Sequence, residues 1–108
     1  MSDLAAKKCV PCEKGTAALR GEALRRLHGQ LQGWNLVGEE RLEKEYGFPD
    51  FRTALAFVNR VGEVAEAEGH HPDLFLTWGK VRITLWTHSI GGLSENDFIV
   101  AAKADAVL

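Results

Sequence analysis

The sequence predicts an α+β domain in which a four-stranded antiparallel sheet carries three helices on one face. In three segments, apolar residues recur at three- and four-residue steps, which is the spacing of an amphipathic helix. Between these segments lie two pairs of short stretches that alternate in polarity around a turn, as β-hairpins do. The order helix, hairpin, helix, hairpin, helix favours one layer of helices packed on one antiparallel sheet.

The first half of the chain supplies one helix and one hairpin. Three leucines form a single apolar stripe, which predicts a helix over residues 19–32. Residues 34–37 and 41–48 then alternate around a short turn, which predicts the first hairpin. Trp34 lies where the helix meets the first strand. It is either a core aromatic or one wall of a pocket for a planar ligand.

The second half begins with the most apolar helix of the chain. Asp50 is a suitable N-cap, and Gly69 is a suitable end after Glu68. The apolar surface of this helix is wider than one stripe. We therefore expect it to cover the sheet on one side and to face a second subunit on the other.

A second hairpin and a last helix complete the predicted fold. Residues 74–78 and 81–88 alternate as two strands, and the alternation places Trp86 and His88 on the face away from the helices. After this hairpin, a serine is followed three residues later by Asp97, which is the spacing of a capping box. Asp97 is thus a helix-start carboxylate, and a role in a cleft is a compatible second interpretation.

Length and composition limit the classes of function. The 108 residues fit one domain, which we divide into a leader over residues 1–15 and a folded domain over residues 16–108. A formal net charge of −2 without a basic stripe argues against direct binding to nucleic acid. No apolar run reaches the ~20 residues that a membrane span needs, and no apolar signal segment begins the chain. We therefore expect a cytoplasmic protein with no membrane partner.

The leader contains Cys9 and Cys12 in a Cys-x-x-Cys pair. A structural zinc site needs four ligands, and the sequence has no second cysteine pair. The simplest interpretation is two reduced thiols. A labile disulfide and a metal shared between subunits are the alternatives.

The most informative stretch is His70-His71-Pro72, together with His88 at the end of the predicted fourth strand. Imidazole is the side chain that exchanges a proton near neutral pH. The glycine before the histidines and the proline after them place the pair in a loop, which can face a strand end across a cleft. Three interpretations stay open: a metal site, a structural role in the loop, and metal-free acid–base catalysis on a small polar substrate.

The chain from Glu66 onward resembles the pterin-4a-carbinolamine dehydratase family. The family pattern is an acid, three residues, two histidines and a proline, then an aromatic, a histidine and an aspartate. The positions that supply it here are Glu66, His70, His71, Pro72, Trp78, His88 and Asp97. The stretches ALAFVNRV and GLSENDF match as well, and Gly33-Trp34 resembles the glycine–tryptophan that enters the family's first strand. The resemblance covers about residues 19–105.

The resemblance implies a lyase that dehydrates a 4a-hydroxytetrahydropterin to the quinonoid dihydropterin. Such an enzyme recycles the cofactor of aromatic amino acid hydroxylases and uses neither a metal nor a redox cofactor. We expect His70 and His88 to transfer protons and His71 to hold the pterin, with a role as the base left open. Glu66 is expected to fix the tautomer of His70. The remaining candidates for substrate binding are Pro72, Trp34, Trp78 and Asp97.

The resemblance also implies homodimers or homotetramers, formed by sheets that join edge to edge and by the long apolar helix. Some family members act instead as dimerisation cofactors of a transcription factor, and others are linked to molybdopterin metabolism or protein assembly. This chain has every catalytic position, which favours the enzyme over these binding roles.

Overall fold

The computed structural model describes residues 4–10 and 17–108. Their three α-helices and one four-stranded antiparallel sheet confirm the predicted α+β fold. The helices are α1 (Gly21–His28), α2 (Phe51–Glu68) and α3 (Glu95–Ala106), and the strands are β1 (Asn35–Val37), β2 (Arg41–Gly47), β3 (Asp73–Thr77) and β4 (Lys80–Leu85). The strands lie in the order β1-β2-β4-β3, and short 3-10 helices cover Leu4–Ala6 and His88–Ile90.

The sheet buries one face against the helices. The buried strand residues are Leu42 and Tyr46 on β2, and Val81, Ile83 and Leu85 on β4. Phe57 of α2 is fully buried, and its ring packs on Tyr46 with 4.7 Å between the ring centroids. The alternate residues Arg82 and Thr84 are partly exposed on the other face. This two-residue period of burial is the physical basis of the polarity pattern in the sequence.

Helix α2 begins and ends at the predicted residues. The Asp50 carboxylate accepts the N–H of Thr53 at 2.8 Å, which satisfies one unpaired donor of the first turn. At the other end, Gly69 has φ 65°, a left-handed conformation that favours glycine. The N–H groups of Gly69 and His70 both donate to the Ala65 carbonyl. This reversal leads the chain directly from the helix into the two histidines.

Two elements end three or more residues before the predicted position, and the other strand boundaries differ by one residue at most. Helix α1 is shorter than residues 19–32, because the residues after Gly29 continue in tighter turns instead of the α-helical pattern. Strand β4 ends at Leu85, not at His88. Leu85 is the last β4 residue in register with β2, and beyond it Thr87 forms an isolated bridge to Gly92. His88 therefore begins a 3-10 turn.

Residues 4–10, which we call the N-terminal segment, pack on the domain. Leu4 is buried in the core, and the Lys103 ammonium of α3 donates to the Ala5 carbonyl at 2.8 Å. The predicted boundary at residue 15 lies outside the described residues, as does Cys12. In the described part of the chain, no helix is both long enough and apolar enough to cross a membrane.

Candidate active site

A cleft of about 460 Å³ lies where the C-terminal end of α2 meets the loop after β4 and the N-terminal segment. This volume lies within the range of small-molecule sites. The three predicted catalytic histidines, His70, His71 and His88, all line it. The other lining residues are Cys9, Val10, Glu68, Gly69, Trp86, Thr87, Ser89 and Asn96.

The imidazole of His70 is held by a buried carboxylate. Its Nε2 lies 2.6 Å from Oδ1 of Asp97; the His70 side chain is 13% exposed and the Asp97 side chain is fully buried. A carboxylate oxygen accepts, so we assign the hydrogen of this bond to Nε2. The lone pair of a neutral ring is then on Nδ1. A fixed tautomer with one free basic nitrogen is the arrangement that general-base catalysis requires.

Asp97 also joins His70 to the start of α3. Its Oδ2 accepts the N–H of Ser94 at 2.9 Å and the hydroxyl of Thr87 at 2.7 Å. The Ser94 side chain accepts the backbone N–H of Asp97 in return, which confirms the predicted capping box. Asp97 does not line the cleft. It lies behind His70 and fixes the position of that ring.

His71 pairs with Glu66, which corrects one prediction. His71 Nε2 lies 2.7 Å from Glu66 Oε1, with both side chains largely exposed. The predicted pairing of Glu66 with His70 is wrong. The left-handed turn at Gly69 redirects the chain, so that His70 meets α3 and His71 lies beside Glu66. Glu66 and Pro72 line a shallow hollow on the other side of His71 and do not line the main cleft.

His88 stacks on Trp86, with ring centroids 3.9 Å apart and planes tilted by 31°. The Arg41 guanidinium lies 4.5 Å from the centroid of the Trp86 ring, which adds a cation–π contact. The turn that presents His88 closes at Gly92, where an added Cβ would lie 2.7 Å from the Cβ of Ala18. Among the described residues, no hydrogen bond to the His88 ring is seen, and the ring lines the cleft.

The structure does not bring the other two predicted aromatics to the cleft. Trp34 is a buried core residue, and its Nε1 donates to Asp105 Oδ2 at 3.0 Å. Trp78 is 67% exposed in the turn between β3 and β4, at the end of the hairpin far from His71. The aromatic that lines the cleft is Trp86, which the strand alternation had placed on the same face as His88.

Several cleft residues carried no functional signal in the sequence. Val10 lies in a stretch without periodicity, about sixty residues before the histidines. Cys9 was singled out only as half of the Cys-x-x-Cys pair, not as a cleft residue. In the sequence, Glu68 and Asn96 are typical of the polar residues found at helix ends. Within residues 4–10 and 17–108, no group of three His, Cys, Asp or Glu side chains is arranged to hold a metal ion.

The Cys9 thiol is strongly biased toward its protonated form. Partial burial, followed by the negative charge of Glu68, raises the pKa of Cys9 to about 12. At pH 8 only about one thiol in ten thousand would be ionised, against about a quarter for an ordinary cysteine of pKa ~8.5. Since the thiolate is the reactive form, we expect iodoacetamide to alkylate Cys9 at least ~100-fold more slowly than an unhindered thiol.

Mass spectrometry of a Cys12→Ser variant, whose only cysteine is Cys9, measures this rate at pH 8. The same variant unfolded in urea is the matched control, because its thiol has lost the burial and the neighbouring carboxylate. Equal alkylation rates in the folded and unfolded protein would contradict the prediction.

Residues 17–107 match the model of the Pterin 4 alpha carbinolamine dehydratase family. The chain belongs to this family. A relative in Rubrobacter xylanophilus, named as a candidate pterin-4-alpha-carbinolamine dehydratase, is 54% identical over 105 residues, which cover 97% of this chain and 98% of the relative. A relative of the same name in Alkaliphilus metalliredigens is 50% identical over 106 residues, with 97% and 96% covered. The resemblance inferred from the histidine pattern is thereby confirmed.

Solved structures of the pterin dehydratase type share the fold. A transcriptional coactivator/pterin dehydratase from Brucella melitensis is 34% identical and superposes with a TM-score of 0.79, over 83% of this chain and 97% of that protein. A pterin dehydratase-like protein, identified as a RuBisCO assembly factor in the α-carboxysome, is 26% identical, with a TM-score of 0.61 over 70% and 89%. Family membership therefore supports a pterin dehydratase-like function, while proteins of this fold also bear the names of binding proteins.

Proposed function

We propose that this protein dehydrates a 4a-hydroxytetrahydropterin to the quinonoid dihydropterin. The observation that carries the proposal is the convergence of His70, His71 and His88 on one cleft, with His70 held in one tautomer by the buried Asp97. Two independently held imidazoles, one backed by a carboxylate and one stacked on Trp86, suit a reaction that needs both a base and an acid.

The reaction requires two proton transfers and no net oxidation. The C4a–O bond breaks, the electrons of the N5–H bond form the N5=C4a double bond, and the hydroxyl leaves as water. We assign removal of the N5 proton to Nδ1 of His70, because its Nε2 is engaged by Asp97. We assign protonation of the leaving hydroxyl to His88. The proton balance then closes when His70 and His88 exchange a proton with solvent.

The remaining predicted residues have supporting roles in this proposal. His71, paired with the exposed Glu66, holds one edge of the pterin, and Pro72 favours an extended backbone at His71, the residue before it. Because Trp34 and Trp78 lie outside the cleft, we assign the contact with the flat ring system to Trp86. Its stacking on His88 would place a bound ring beside the proposed acid.

Stopped-flow dehydration of a synthetic 4a-hydroxytetrahydropterin tests the proposal directly. The full chain should form the quinonoid product faster than the spontaneous reaction, and to the same extent with and without a chelator. The same protein inactivated by heat is the control. A rate equal to the spontaneous one would exclude the proposed activity, and loss of activity with the chelator would exclude a metal-free mechanism.

We further propose that the protein acts in the cytoplasm as a homodimer or homotetramer, where it recycles the cofactor of an aromatic amino acid hydroxylase. Exposed apolar side chains support self-association: Leu74 and Phe75 lie on the edge strand β3, and Phe51 and Leu55 lie on α2. Light scattering after gel filtration measures the oligomer. A species that stays monomeric at micromolar concentration would contradict this assembly.

A second candidate function is binding without catalysis. The protein would then act as a dimerisation cofactor, a transcriptional cofactor or an assembly cofactor, or would take part in molybdopterin metabolism. The names of the two structural relatives support this second candidate function, since one is a coactivator/dehydratase and the other an assembly factor. Co-purification of a stoichiometric protein partner, combined with no dehydratase activity above the spontaneous rate, would favour this function.

A further inference from the structure

The N-terminal segment contributes to the cleft although it lies outside the stretch that defines the family. The family match begins at residue 17, whereas Cys9 and Val10 line the cleft beside the three histidines. A wall supplied from outside the matched residues 17–107 can be altered without changing the three histidines, which all lie within them. This location suits a determinant of substrate selection.

Two polar side chains, Asn96 and Glu68, form hydrogen bonds with the backbone of the segment at the cleft. The N–H of Val10 donates to Oδ1 of Asn96 at 3.1 Å, and Nδ2 of Asn96 donates back to the Val10 carbonyl at 2.5 Å. One residue earlier, the N–H of Cys9 donates to Oε1 of Glu68 at 2.8 Å. These three bonds fix both residues against α2 and α3 and use backbone groups, so they leave the Val10 side chain uncommitted.

Other contacts hold Glu68 and the rest of the segment in place. The Glu68 side chain is only 7% exposed, and its other oxygen lies 3.7 Å from the Lys103 ammonium. The Cys9 N–H lowers the pKa of the Glu68 carboxyl, which keeps this acceptor charged. Farther from the cleft, Lys7 pairs with Glu95 at 2.9 Å and Leu4 is inserted in the core. The segment is therefore anchored at the cleft itself and on the N-terminal side of it, which contributes the preorganisation that a binding site needs.

We propose that the N-terminal segment is a specificity-determining wall of the active site, with Val10 and Cys9 in contact with the bound pterin. This inference rests on the proposed function. Val10 is 67% exposed and apolar, and its neighbour is a protonated thiol. The wall is thus uncharged, and it suits the uncharged ring face or an alkyl substituent of a reduced pterin. A valine at this position acts on substrate binding, because it has no group that can transfer a proton.

The variant Val10→Trp tests the inference with little risk to folding, since the Val10 side chain is exposed. The added bulk occupies cleft volume, so we expect KM for dehydration to rise about fivefold or more while kcat stays within about twofold. Ala6→Trp is the matched control. Ala6 lies in the same segment and is exposed, but it does not line the cleft, and both kinetic constants should equal those of the wild-type protein.

A titration of each protein with a stable 7,8-dihydropterin by calorimetry separates the two hypotheses. If wild-type protein is active and Val10→Trp has the same KM and the same dissociation constant as wild-type protein, the proposed role of the N-terminal segment is wrong while the proposed function stands. If wild-type protein binds the dihydropterin without turnover, the proposed function fails, and a weaker affinity of Val10→Trp alone still supports the wall. If Ala6→Trp weakens binding as much as Val10→Trp does, the effect is not one of the cleft, and the inference fails. Wild-type protein that neither turns over the carbinolamine nor binds the dihydropterin overturns both.

Discussion

Replacing His70 or His88 by alanine is expected to lower kcat for dehydration by ~100- to 10,000-fold, the usual contribution of a general acid or base. Both rings line the cleft, and each is the only group we assign to its proton. KM should change much less, because proton transfer is an interaction made in the transition state. Stopped-flow kinetics with purified variants measures both constants.

His28→Gln is the control for these two variants. His28 is the one histidine of the four that lies outside the cleft. Its Nε2 forms a hydrogen bond with the Trp34 carbonyl at 2.6 Å. Glutamine retains a donor for that carbonyl, so activity should equal that of wild-type protein. Wild-type rates in both alanine variants would remove the basis for histidine catalysis.

Replacing Asp97 by asparagine is expected to lower kcat by roughly 100-fold with only a modest loss of stability. The amide can keep its oxygen toward the Ser94 N–H and the Thr87 hydroxyl, which preserves the capping box. Its NH₂ then faces Nε2 of His70. That nitrogen must become an acceptor, so the ring adopts the other tautomer and Nδ1 loses its basic lone pair.

Asp97→Ala separates the catalytic role of this carboxylate from its structural role. Alanine removes the helix cap and leaves buried donors unsatisfied, which should lower the free energy of unfolding by about 2–4 kcal/mol. A domain of this size would then melt about 10 °C or more lower. Glu66→Ala is the comparison: the Glu66–His71 pair is exposed, so its loss should change stability by less than ~1 kcal/mol.

Calorimetric melting and single-turnover rates, measured on the same samples, test both expectations. An Asp97→Asn protein with wild-type kcat would show that the carboxylate serves only the fold. Equal melting temperatures for Asp97→Ala and wild-type protein would show that the buried network contributes little to stability.

Local chemistry explains why α2 could be predicted almost to the residue. Its start depends on the Asp50 side chain and the N–H three residues later, and its end depends on a glycine that adopts φ 65°. Neither feature needs a distant partner. Strand β4 was predicted too long for the opposite reason. Its end at Leu85 is set by where pairing with β2 stops. The polarity pattern of residues 86–88 continues the alternation and does not indicate that end.

The site was predicted in part. The histidine pattern, read with the family resemblance, identified three residues that the fold does bring to one cleft. The partner of Glu66 was predicted wrongly. Glu66 lies one helical turn before His70 in sequence, but the turn at Gly69 ends the helix between them and brings His71 to Glu66 instead. Trp34 and Trp78 were included as site candidates from the family resemblance. A position in a motif does not show whether a ring is buried in the core, like Trp34, exposed in a turn, like Trp78, or in the cleft.

The sequence by itself determined the fold class, the helix caps and the three histidines, since periodicity, capping and motif spacing are all properties of neighbouring residues. Only the tertiary structure decided which groups meet. His70 and Asp97 are 27 positions apart, and Cys9 and Glu68 are 59 apart. Such pairs form because α2 and α3 pack on one sheet with their ends together and the N-terminal segment packs beside them. The free energy for that packing comes from a buried core that no single stretch of sequence contains.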